Sequence, residues 1–138
     1  MKKNISFSMQ NISIDQFAIM GDKFPTDGRM QTELQIGVDK ENKSVAIRLR
    51  ITYLDTEKNA VLVIQVTCMF AIVDADWQKL IIEDNKVSIP HYLLAHFTMQ
   101  AFGTIRGILY CKTVDTPMGA VIVPPTNVDE MVPEEFVM

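Results

Sequence analysis

The residues best able to do chemistry are few. His91 and His96 are the only histidines, five positions apart, and Cys68 and Cys111 are the only cysteines. Zinc on a helix wants ligands at i and i+4 with a third nearby, whereas a spacing of five turns two side chains about 140° apart. The histidines therefore read as helix-surface or interface residues. The cysteines form no C-x-x-C pair and suggest neither a disulfide framework nor a zinc ribbon; reduced core thiols are the plainer reading. Asp74-Ala75-Asp76 resembles carboxylates that hold a divalent ion, but it falls where a strand must end and a helix begin, a position that uses the same residues for capping. Gly103-x3-Gly107 lies inside a helical run and lacks the strand, turn and helix of a phosphate loop, so close backbone packing is its expected use. No G-x-S-x-G or triad-like context anchors a nucleophile. No catalytic residue, metal or cofactor is expected, and the chain reads as a non-enzyme.

Binding chemistry is better represented. Nine methionines supply adaptable thioether side chains, which suit irregular apolar partners as well as gaps in a core. Phe24 and Trp77, near turns, are packing lids or groove walls. Phe24, Met30, Trp77, Leu80 and Met118 are the candidate peptide-binding residues.

From Asn4 to Val73 the apolar period is two, the mark of strands with one buried face. The first run puts Ile5, Phe7 and Met9 on odd positions, shifts to Ile12 and Ile14 on even ones, then returns at Phe17 and Ile19; such slips predict bulges. Pro25 and Asp27-Gly28 mark a turn. A second strand alternates Met30, Thr32, Leu34, Ile36 and Val38 with polar residues. A third turns Val45, Ile47, Leu49, Ile51 and Tyr53 inward and Arg48 and Arg50 outward. Asp39 to Lys43 and Asp55 to Asn59 are the intervening turns. The fourth run, Val61 to Val73, is apolar on both faces and belongs in the middle of a sheet or against a second layer. Short connections predict an antiparallel meander.

After Asp74 the period changes. A short helix is predicted near Trp77, then a turn at Glu83 to Lys86, then Ser88 as N-cap before Pro90 and a helix from 90 to 112. Leu93, Leu94, Phe97, Ala101, Ile105 and Ile108 fill one arc of that helix, and Tyr92, Ala95, Met99, Phe102, Leu109 and Tyr110 most of the rest. Only His96, Gln100, Gly103 and Gly107 form a polar or small stripe. A helix this apolar needs cover on two sides; one sheet supplies one, and another subunit is expected to supply the other. An extended run at Ala120 to Val123, a capped turn at Thr126 or Asn127 and a frayed tail from Pro133 complete the chain. The fold class is α+β: a four-stranded antiparallel meander with a long C-terminal helix packed on one face, residues 1–138 forming a single domain.

At 138 residues a chain can bury a full hydrophobic core without disulfides or metals. Apolar residues make up 48% and charged residues 22%, outside the range of disorder. A net charge of −4 and the lack of a Lys/Arg run argue against nucleic acid or acidic membrane surfaces as partners. Met1-Lys2-Lys3 is basic, but no apolar h-region follows, and no run is long enough to span a bilayer; a cytoplasmic location is expected.

Three stretches together resemble the SecB chaperone family: Gln10-Asn11-Ile12-Ser13-Ile14-Asp15 in the first strand, Met69-Phe70-Ala71-Ile72 closing the fourth, and the helix opening Ile89-Pro90-His91-Tyr92 with the close Val123-Pro124-Pro125-Thr126-Asn127-Val128. The resemblance implies a homotetramer built as a dimer of dimers with long helices between sheets. It also implies that apolar grooves hold unfolded client polypeptides and deliver them to the secretion motor SecA for protein transport. The family's motor-facing acidic positions fall on Asn11, Asp15 and Val63, of which only Asp15 keeps the charge, so Asp15 is the one implied motor contact and the coupling to SecA is weakened. The expected function is a non-catalytic holdase that binds unfolded protein without ATP. The alternative is a dedicated interaction module holding one specific partner, as toxin–antitoxin chaperones of the SecB-like group do.

Overall fold

In the computed structural model, which describes residues 4–138, the two-residue periods become strands β1 (Phe7–Ile19), β2 (Arg29–Asp39), β3 (Ser44–Leu54) and β4 (Ala60–Ile72) of one antiparallel sheet. Both tight turns fall where the polar clusters lie. Asp39 accepts from the backbone N–H and side-chain amide of Asn42, and Asp55 Oδ1 accepts from the N–H groups of Glu57 and Asn59. The parity slips are bulges: the register of β1 against β4 shifts between Met9 and Asn11 and between Ile14 and Gln16.

The strand order is β1-β4-β3-β2, so only β2, β3 and β4 form a meander and β1 pairs with β4 instead of β2. Burial decides this. A four-strand meander would leave β4 at an edge, but its inner row from Leu62 to Ile72 is buried and Val61 and Val63 on the outer face are 9% and 4% exposed. Such a strand has to sit between neighbours, and β1 supplies the second one. The chain must then cross the end of the sheet from β1 to β2. Met20 and Gly21 both donate to Val61 O, and the segment passes over the end of β3. Gly28 is required there, since a Cβ would lie 2.3 Å from Leu54 O and 2.6 Å from Pro25 Cγ.

Beyond the sheet come α1 (Asp74–Trp77), 3₁₀ turns at Gln78–Leu80 and Glu83–Asn85, β5 (Ser88–Pro90), α2 (His91–Thr113), α3 (Val128–Met131) and β6 (Glu135–Val137). Several polar residues act differently from the capping expectation. Asp74 and Asp76 lie inside α1, and Asp76 accepts from Ser6 N at 2.7 Å and from Lys79 Nζ at 2.8 Å, tying the entry of β1 to the exit of β4. Ser88 donates to Glu135 across the β5–β6 pair, and Pro90 precedes α2 without a side-chain cap. The tail expected to fray is held by that pairing, with Val87 and Met138 exchanging two backbone hydrogen bonds.

Helix α2 lies across β3 and β4. Phe70 stacks on Phe97 at 4.4 Å, and Phe7 meets Phe97 edge-on at 4.8 Å. The chain itself supplies more of the second cover than the helical pattern suggested. Met118, Val121, Val123, Val128 and Val132 are buried in the same cluster as Phe102 and Ala95. One flank stays open, at His96, Met99, Gln100, Gly103, Gly107 and Tyr110.

Candidate binding site

The site begins with how the segment after α2 is anchored. Thr113 Oγ1 donates to Leu109 O within the helix and accepts from Val121 N at 2.9 Å, while Arg106 Nε donates to Val123 O at 2.9 Å. With Val121 and Val123 pinned inward at 3% and 1% exposure, the extended backbone turns Ile122 out, and it is 63% exposed. Opposite it, Gly28 lets the crossing segment fold down over the end of β3, where the Phe24 and Tyr53 rings meet at 5.1 Å and 63°. Between these two anchored segments opens a cavity of about 310 Å³ lined by Phe24, Pro25, Gly28, Arg29, Met30, Tyr53, Ile122 and Pro124. The side chains that line it are apolar apart from Arg29 and the tip of Tyr53, whose hydroxyl is itself enclosed. That hydroxyl is buried with no hydrogen-bond partner among the described residues, and burial pushes its pKa up, so it remains a neutral O–H at physiological pH.

The cavity sits at the start of β2, which is a sheet edge. The two edges differ. Bulges interrupt β1 twice, whereas β2 pairs with β3 without a break from Arg29 to Asp39 and keeps a regular outer backbone. Met30, Leu34, Ile36 and Val38 along it are only partly buried, a row of apolar side chains beside open hydrogen-bonding groups.

Of the five residues singled out in the sequence, the structure brings Phe24 and Met30 together in this cavity. Trp77, Leu80 and Met118 are core instead, at 3%, 1% and 6% exposure, and offer no side chain to a surface groove. Trp77 and Leu80 stand three apart on consecutive helical turns, which places both on the face packed inward. Tyr53, Ile122 and Pro124 were missed. Ile122 carried a signal, as an apolar residue on the wrong parity between Val121 and Val123.

The outer sheet face is polar. The Asp15 carboxylate is opposed by partial burial but held below its usual pKa by hydrogen bonds from Thr67, Ser13 and Gln65 and by the Arg48 guanidinium. Arg50 donates to Gln16 and Gln65. Cys68 is buried, but Cys111 is exposed on α2 and not the core thiol expected.

The arrangement of sheet, crossing segment and long helix has a solved counterpart in the Mycobacterium tuberculosis SecB-like chaperone Rv1957, in complex with a ChAD peptide from the Rv1956 HigA1 antitoxin. The likeness covers 88% of this chain and 91% of that one, with a TM-score of 0.54 at 13% identity. The fold is SecB-like. A protein of unknown function from Streptococcus agalactiae aligns over 88% of this chain and 99% of its own at a TM-score of 0.45 and 9% identity. No protein-family model and no curated protein sequence matches the chain. The SecB-like architecture therefore stands on the structure, with β1 beside β4 and α2 across the inner face.

Proposed function

We propose that the protein is a non-catalytic chaperone that holds extended, apolar polypeptide segments. The observation that carries this is the junction of an apolar cavity with an uninterrupted free strand edge: a segment laid along β2 forms main-chain hydrogen bonds while one side chain enters the cavity. Neither step needs ATP or a metal. The SecB-like neighbour, solved with an antitoxin peptide, supports peptide holding as the use of this fold. It also favours a second reading, that one dedicated partner replaces a range of clients.

The same reading takes copies of the chain to assemble through the open flank of α2, beside which Ile12 and Ile14 on β1 are 47% and 46% exposed. Delivery to SecA lies outside it, because the outer face presents Arg48 and Arg50, and Asp15 is already engaged.

Stoichiometric protein is expected to slow the aggregation of a denatured client, and Ile122→Asp to lose that protection with an unchanged melting temperature, since Ile122 is 63% exposed. No protection by wild type at several-fold excess refutes client holding. Pull-down from native lysate separates the two readings: many substoichiometric clients support the holdase, one stoichiometric protein the dedicated module.

A further inference from the structure

Strand β2 is a sheet edge without the guards that such edges carry. Native sheets keep copies from pairing by placing lysine or proline on the outer strand, or by bulges that bend it away. From Arg29 to Asp39 there is neither lysine nor proline, the pairing with β3 runs without a bulge, and Glu33 is the only charge between the two ends. The opposite edge, β1, is bulged twice. The ends of β2 carry opposite charges, Arg29 at one and Asp39 at the other, and hydrogen bonds from Asn42 fix the Asp39 carboxylate in place. A strand with that polarity is complementary to its own copy laid antiparallel beside it.

We propose that a second copy of the chain caps this edge, β2 against β2 about a twofold axis at Leu34, and, resting on the peptide-holding reading above, that a client segment binds by displacing it. In that register Arg29 stands opposite Asp39 of the second copy, Met30 opposite Val38, Thr32 opposite Ile36 and Leu34 opposite itself. All eleven residues of the strand then pair, and the half-buried apolar rows of the two copies join on one face. The neighbouring registers are worse. A slide of one residue sets inward side chains against outward ones. A slide of two sets Glu33 against Glu33 in one direction and leaves Arg29 and Met30 with nothing opposite in the other. Helix α2 lies across β3 and β4, one strand in from this seam, so the capped edge is distinct from the open flank of the helix. The capped form withholds the main-chain half of the binding site.

The test traps the pairing with a disulfide in the full chain, with exposed Cys111 replaced by serine so that buried Cys68 is the only native thiol. In that background Leu34→Cys is expected to give a covalent dimer on oxidation with diamide, since residues directly opposite across antiparallel strands have Cβ atoms about 5 Å apart. Ile36→Cys is expected to give almost none, because the two copies of residue 36 are offset by four residues, about 13 Å. Positions 33 and 35 are exposed and lie opposite each other at the seam. Added to Leu34→Cys, Gln35→Glu faces Glu33 of the second copy and is expected to slow crosslinking about two- to tenfold, whereas Gln35→Lys speeds it. Reduced, carboxymethylated α-lactalbumin, a soluble unfolded client, is expected to suppress the Leu34→Cys crosslink. No dimer from Leu34→Cys, an equal yield from Ile36→Cys, or no response to the charge at position 35 overturns the capping and leaves peptide holding standing. A crosslink undiminished by a client that the protein binds in fluorescence anisotropy overturns the displacement. A client that does not bind at all overturns peptide holding, while the crosslink still decides the pairing.

Discussion

Asp76 shows what one side chain does when its element is too short to be stable alone. Its carboxylate accepts from Lys79 Nζ and from the Ser6 N–H, and so fastens the first residues of β1 to the turn that leaves β4. Those bonds, the Lys79 contact first and the Ser6 backbone second, hold its pKa below the usual carboxylate value. A folded pKa below the unfolded one means the stabilisation is complete above about pH 4 and is lost as pH falls through the folded value. The wild type should therefore lose more melting temperature between about pH 6 and pH 3 than Asp76→Asn does. Parallel curves for the two proteins would show the carboxylate adds nothing. Ser44 is the opposite case: fully buried, with a hydroxyl that has no hydrogen-bond partner among the described residues. Ser44→Ala removes a desolvated polar atom and is expected to raise unfolding stability by about 1 kcal/mol in urea titration. A fall of that size would show that the hydroxyl has a partner.

At the scale of elements, the crossing segment from β1 to β2 decides whether a site exists. Gly28 has no room for a Cβ against Leu54 O, and a backbone oxygen in a paired strand cannot retreat as a side-chain tip can. Gly28→Ala is expected to cost about 1–3 kcal/mol and to weaken peptide binding, because Phe24 and Pro25 move with the backbone. Unchanged stability and affinity would show that the segment is not clamped there. These elements were largely readable beforehand. Strand limits, both tight turns and the two bulges of β1 follow from local periods and from Asp, Asn and Gly placement, and local signals survive in a sequence. Which strand neighbours which was not local, although the apolar residues on both faces of β4, Val61 and Val63 on one and Leu62 and Ile64 on the other, already conflicted with a β4 edge. The site was half readable for the same reason. Phe24 and Met30 lie within one stretch, but Tyr53 and Ile122 join them only because the sheet end and the α2 exit are folded together, and Trp77, Leu80 and Met118 went inward because core packing claims large apolar side chains first.

For the whole molecule the open question of cover turns on α2. Its inner face is closed by β3 and β4 and part of its flank by the segment that follows it, yet Met99 and Tyr110 remain 58% and 44% exposed. On the same open stripe, Cβ atoms built at Gly103 and Gly107 meet nothing within 4 Å. Glycine inside a helix costs about 0.5–1 kcal/mol relative to alanine, so two of them four residues apart weaken α2 with no return inside a single chain. A second copy gives them a use, because a stripe without side chains lets another helix backbone approach closely. The two settings predict opposite signs. In a lone chain Gly103→Ala with Gly107→Ala only improves helix propensity, and the melting temperature rises. In an assembly packed on this stripe the added methyl groups separate the helices, and the mass from light scattering falls toward the 15.6 kDa of one chain even as the isolated chain becomes harder to unfold. A wild type that already scatters as a single chain, or a variant whose assembly is untouched, would remove this flank as the seam between copies and leave the cavity at β2 to act within one chain.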